Sequence, residues 1–104
     1  MRLILKRNNS EIDAAAEYDE ATGSVTVLAG SKVSKTINYT EKFRGAKSIE
    51  KARFGVIDNN RLVRDVSFKS ASTAANFVTG SSTNGLTAWK TVDGISLKEY
   101  KKGK

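Results

Sequence analysis

The sequence predicts an α+β domain: a mostly antiparallel sheet with two short helices packed on it. Three observations carry that expectation. Short aliphatic or β-branched runs bounded by turn residues recur, as in Arg2–Arg7 (RLILKR) and Ser24–Leu28 (SVTVL). Two other segments, Phe43–Ala52 and Ala71–Val78, space small and apolar residues at helical intervals. The chain is 104 residues long and contains no proline. That length suits a single domain over residues 1–104 with one modest core.

Taken in order, Arg2–Arg7 reads as a first strand followed by a polar turn at Asn8-Asn9. Ala14-Ala15-Ala16 favours helix locally. Ser24–Leu28, however, is a clear strand just beyond the turn Glu20–Gly23, so residues 12–18 are expected to form its hairpin partner. Ser31–Thr40 (SKVSKTINYT) alternates weakly and reads as an exposed edge strand or a loop. Phe43, Ala46, Ile49 and Ala52 then recur every three residues, with Gly55 placed to end a helix. Asp58-Asn59-Asn60 signals a turn, and Arg61–Phe68 a strand. Ser70 is a good N-cap for a second helix, whose apolar face is Ala71, Ala74, Ala75 and Val78; Gly80 closes it. Leu86–Val92 and Ile95–Tyr100 are expected as two strands about the turn Asp93-Gly94. Residues 101–104 read as a basic disordered tail.

Composition removes whole classes of chemistry. There is no cysteine and no histidine, so disulfides, thiolate metal sites and the commonest general base are all absent. Glu11, Asp13 and Glu17 could hold a hard metal ion, but solvated strand charges explain them as well. No catalytic residue, no metal and no cofactor is assigned, and a non-enzyme is expected. The apolar runs are too short to cross a membrane, and MRLILKRNN lacks a secretory core, so a cytoplasmic location is expected and the Asn8 and Asn38 sequons carry no meaning.

The stretch Gly80–Lys90 (GSSTNGLTAWK) spaces two glycines like a phosphate loop. Leu86 stands where such a loop needs lysine, and a helix ends here rather than begins. The segment reads as a turn, with Asn84-Gly85 at its bend.

Charge points to binding. The net charge is +7 and the pI near 9.8. Residues 8–31 hold acids and no base, whereas bases dominate from Lys32 to Lys69 and again at the end. This asymmetry favours an anionic polymer, although a cationic solvated face gives the same composition. Phosphate contacts are expected from Lys32, Arg44, Lys47, Lys51, Arg53, Arg61, Arg64, Lys69 and Lys90. Ser70, Asn84 and Trp89 would lie near any base-reading pocket. Trp89 also reads as a core anchor.

Four pieces carry a family likeness: VLAGSK (Val27–Lys32), the helix and turn ending in Phe54-Gly55-Val56-Ile57, FKSASTAANFVTG (Phe68–Gly80) and NGLTAWKTVDGISLKEY (Asn84–Tyr100). In order and spacing these resemble an uncharacterised domain family appended to the C-terminus of GIY-YIG nucleases and found with restriction–modification proteins. The last piece is also similar to the restriction-enzyme and adenine-methylase-associated module. The likeness spans about residues 12–100. Its matching positions are Gly30, Ser31, Lys32, Ser70, Ser72, Ala74, Ala75, Gly80, Asn84, Gly85, Trp89, Lys90, Gly94 and Leu97. Ala71 replaces a usual proline, and Leu86 a residue that is often aromatic. The resemblance implies a non-catalytic accessory domain that binds nucleic acid, DNA being the expected one, in a nuclease or restriction–modification context. The alternative is a protein-interaction module docking a nuclease or methylase subunit, with Ser31–Thr40 pairing edge to edge.

Overall fold

The computed structural model describes residues 1–7, 12–37 and 46–103. Five strands form one sheet in the order β6-β3-β2-β1-β7: β1 Arg2–Arg7, β2 Ile12–Tyr18, β3 Val25–Val27, β6 Val66–Phe68 and β7 Lys90–Thr91. Every neighbouring pair runs antiparallel. A two-stranded ribbon, β4 Ile57–Asp58 with β5 Arg61–Leu62, adjoins it through Lys32, which bridges Asp13 and Arg61. The described residues also form α1 Ala46–Arg53, α2 Ala71–Thr79, α3 Gly85–Ala88 and α4 Leu97–Lys102. The α+β architecture is the expected one, with more helix than anticipated.

Alternation in the first strands decides which side of the sheet is covered. Leu3 and Leu5 of β1, Ile12, Ala14, Ala16 and Tyr18 of β2, and Val25 and Val27 of β3 are all buried. They lie on one face because side chains two apart in a strand share a side. That pairing overrides the helical preference of Ala14–Ala16. Helix α2 packs Ala74, Ala75, Phe77 and Val78 onto this face with no exposed surface. Its alanines let the backbone come close to the sheet. Phe77 meets Phe68 of β6 with ring centroids 4.9 Å apart.

Both ends of α2 follow local chemistry. The Ser70 hydroxyl accepts from the Thr73 amide at the start. At the end Gly80 adopts φ 71°, and its amide donates to the Asn76 carbonyl. A side chain at Gly80 would also run into the Thr36 carbonyl and the Ser34 hydroxyl, so glycine is needed there for conformation and for space.

Three expectations are corrected. Arg61–Phe68 is not one strand, because Asn59 and Asn60, both at positive φ, turn β5 tightly back on β4. The chain then bends at Arg64-Asp65, where the Asp65 carboxylate accepts from the Ala29 amide at 2.8 Å, and β6 joins the main sheet. The two strands expected after Asn84 reduce to β7. Asn84 caps α3 by accepting from the Leu86 amide, and Ser96 caps α4 by accepting from the Glu99 amide. The expected tail therefore begins as helix, with Lys101 and Lys102 inside α4.

Of the two readings of Ser31–Thr40, an exposed edge strand or a loop, the described residues 31–37 form a loop with one bridge at Lys32, and residues 38–40 lie outside the described residues. Ser31, Val33 and Ser34 are buried, and Lys32 bridges Asp13 on one side and Arg61 on the other. With both sides of the backbone engaged, Lys32 offers no free edge to a partner strand.

Candidate nucleic-acid interface

Residues opposed in register point to the same side of a sheet, so the pairing itself assembles the uncovered face. One rung runs Ser67–Thr26–Glu17–Arg2 across β6, β3, β2 and β1. The next holds Ala15, Ile4 and Lys90 across β2, β1 and β7. A third runs Arg61–Lys32–Asp13–Lys6. The uncovered face thus gathers Arg2, Lys6, Lys32, Arg61 and Lys90 against Asp13 and Glu17. Ala15, Ile4, Thr26 and Ser67 of the same rungs are uncharged.

Two of these cations are partly committed. The Arg2 guanidinium donates to the Glu17 carboxylate at 2.7 Å. This contact is the main reason that the Glu17 carboxyl titrates below its usual range. Arg61 donates to the Gly30 carbonyl at 3.1 Å. Lys6 and Lys90 are exposed and make no ion pair with a described residue. At strand spacings of about 4.8 Å and side-chain repeats of about 6.8 Å, the five bases cover a patch wide enough for several phosphates.

The cations predicted from the sequence are dispersed by the fold. Lys32, Arg61 and Lys90 reach the open face, whereas Arg44 lies outside the described residues. Lys47 and Lys51 are exposed on α1, and Arg64 is exposed at the bend before β6. Lys69 is also exposed, beside a shallow cleft of about 250 Å³ at the start of α2 that Lys101 and Ser70 share.

Arg53 is a structural clamp. Its guanidinium donates to the Phe77 carbonyl at 2.6 and 3.0 Å, to Val78 at 3.2 Å, and to the Ser34 carbonyl and hydroxyl at 3.0 and 2.8 Å. Carbonyls in the last turn of a helix lack intrahelical partners, and Arg53 supplies them.

Trp89 resolves in favour of the core. It is 0% exposed, and its indole nitrogen donates to the Ala71 carbonyl at 3.0 Å. No ring face remains for a base. Gly85 packs against the same first turn of α2, where its amide donates to the Ser72 hydroxyl and a Cβ would overlap the Ala71 carbonyl. Ala71, Ser72, Gly85 and Trp89 therefore form one lock between α2 and α3. Asn84 belongs to it as the cap of α3, and Ser70 as the cap of α2. The segment Gly80–Lys90 is a connection out of α2 that leads through α3 to the buried tryptophan that ends it.

Arg2 and Lys6 escaped the reading of the sequence as binding residues. The signal was present: in RLILKR they occupy the polar phase of an alternating strand whose other phase is Leu3 and Leu5. Among the described residues no three acidic side chains gather as a metal-binding group. Asp13 and Glu17 stand on the open face beside cations, and Glu11 lies outside the described residues. No helix among the described residues is long and apolar enough to cross a membrane.

The molecule is an α+β domain with one covered and one uncovered, electropositive sheet face. The chain belongs to the family described as Domain of unknown function (DUF4357), whose model matches residues 5–101. No curated protein and no solved structure matches the chain.

Proposed function

We propose that the chain is a non-catalytic accessory domain that binds the sugar–phosphate backbone of nucleic acid on the open face of its sheet. The observation that carries this reading is the register of β1 with β2 and β7, which sets Arg2, Lys6 and Lys90 around Ile4 and continues into Lys32 and Arg61. The rungs hold no aromatic residue, so the face itself offers charge without stacking and favours no base sequence. A nuclease or restriction–modification context is part of the same proposal and supplies the polymer. The alternative is a protein-interaction module that docks a nuclease or methylase subunit; with Ser31, Val33 and Ser34 buried, its surface would lie elsewhere than on an edge at those residues.

The expected affinity is that of unspecific contacts, about 10⁻⁴–10⁻⁶ M at physiological salt. Titration of labelled duplex and single-stranded DNA across a salt series tests it. With three to five phosphates neutralised, log K falls against log salt with a slope of about −3 to −4.5 on duplex. Lys6→Gln and Lys90→Gln each reduce that slope by about 0.9. A flat salt response, or no binding at low salt, rejects the reading. So does a slope that survives both changes and disappears with Lys47→Gln and Lys51→Gln on α1, which would move the interface to the helical side.

A further inference from the structure

We infer that the cleft between β1 and the turn joining β7 to α4 receives a single unpaired nucleotide of a strand bound on the open face. The inference rests on the backbone-binding reading and adds a site to it. The cleft has a volume of about 280 Å³ and is lined by Ile4, Ala88, Val92 and Gly94, with Lys6 and Lys90 beside them and no acidic residue. Ligand pockets usually run from about 300 Å³ upward, so this one suits a single ring and not an extended cofactor.

Its chemistry is that of a phosphorylated ring. Lys90 stands opposite Ile4 in register, and Lys6 lies one side-chain repeat further along β1. Diagonal neighbours of this kind lie about 7–8 Å apart, so two ammonium groups flank one apolar floor. Val92 is 67% exposed, an aliphatic side chain left in water at the cleft wall. A flat base covers such a wall while its phosphates meet the lysines. The carboxylate of an acidic peptide brings charge without the ring. The Thr91 hydroxyl already accepts from the Ile95 amide, and the other lining side chains are aliphatic or cationic. The cleft therefore has little with which to discriminate among bases, and it admits only bases that are not paired.

Three predictions separate the cleft from the face. The full chain is titrated at low salt with a short mixed-sequence single-stranded DNA, and with the same strand carrying abasic sites in place of alternate bases. The intact strand is expected to bind about three- to ten-fold more tightly, because base contacts are lost with the bases. Val92→Ala changes no charge at an exposed position, and is expected to erase that margin while leaving the salt slope unchanged. Amide shifts induced by a nucleoside monophosphate are expected at Ile4, Ala88, Val92 and Gly94. Equal, salt-dependent affinity for both strands overturns the cleft and leaves the face standing. Shifts clustered elsewhere also overturn the cleft. Failure of either strand to bind at low salt removes the face, and the cleft with it.

Discussion

Arg53 is where reading a cation as a phosphate contact and reading it as a clamp give opposite outcomes. Replacing it by alanine strips the Phe77 carbonyl of both hydrogen bonds from the guanidinium. The Val78 carbonyl keeps the Ser34 amide at 2.9 Å, so one helix-end acceptor is orphaned and the other is not. Leaving a buried acceptor unpaired costs about 1–3 kcal/mol. The lost packing of the Arg53 stem, with its charge 5.8 Å from the Phe77 ring centroid, adds to that. Because Arg53 is half-buried, water recovers part of the loss. A total of about 2–3 kcal/mol is expected, which lowers the melting temperature by about 10–20 °C in a domain of this size. Arg53→Lys keeps the charge but not the planar fork, and is expected to lose about half as much. Thermal unfolding followed by circular dichroism reads the series, and DNA titration well below the transition reads its effect on binding. A melting point for Arg53→Ala within about 2 °C of the unaltered chain would refute the clamp. The refutation would be sharper still if DNA affinity fell while stability did not, since the guanidinium would then be serving a ligand.

Two further outcomes follow from the same structure. Gly85→Ala drives a methyl group into the first turn of α2, and is expected to cost about 3 kcal/mol by chemical denaturation; a near-neutral result would mean that α3 does not pack where it is described. The Glu17 carboxyl titrates below its ordinary value because of Arg2, so the folded state holds this proton less tightly than the unfolded chain does. Its contribution is therefore present above the unfolded value near 4.5 and is lost as pH falls through the lower folded value. The exposed pair contributes at most about 1 kcal/mol. Glu17→Gln should be slightly less stable than the unaltered chain at pH 7, with the gap closing in acid; a gap that widens below pH 4 contradicts the assignment.

Much of the fold was readable where the deciding chemistry lies within a few residues. Ser70 and Gly80 bracket α2 through bonds to Thr73 and Asn76. Asn59 and Asn60 make their turn through their own backbone angles. The alternation of RLILKR marks β1 without reference to any partner. The spacing Ser96-x-x-Glu99 is a helix start of the same local kind, yet an adjoining Asp-Gly turn and the apolar Ile95 suggested a hairpin. The short helix that follows displaced the expected strand. Asn84 likewise begins α3 instead of serving a turn into a strand.

Composition determined that this chain has neither imidazole nor thiol, and that it carries an excess of positive charge. Local sequence determined the caps, the tight turns and the first strands. Tertiary structure alone decided which cations stand together, that Arg53 is used to end a helix, and that Trp89 is enclosed. The physical reason is register. The face that a strand residue occupies follows from what it pairs with, and Ile4 meets Lys90 across 86 positions of sequence. No local pattern encodes that separation, because only packing of the apolar face against α2 fixes which side of the sheet is left to water.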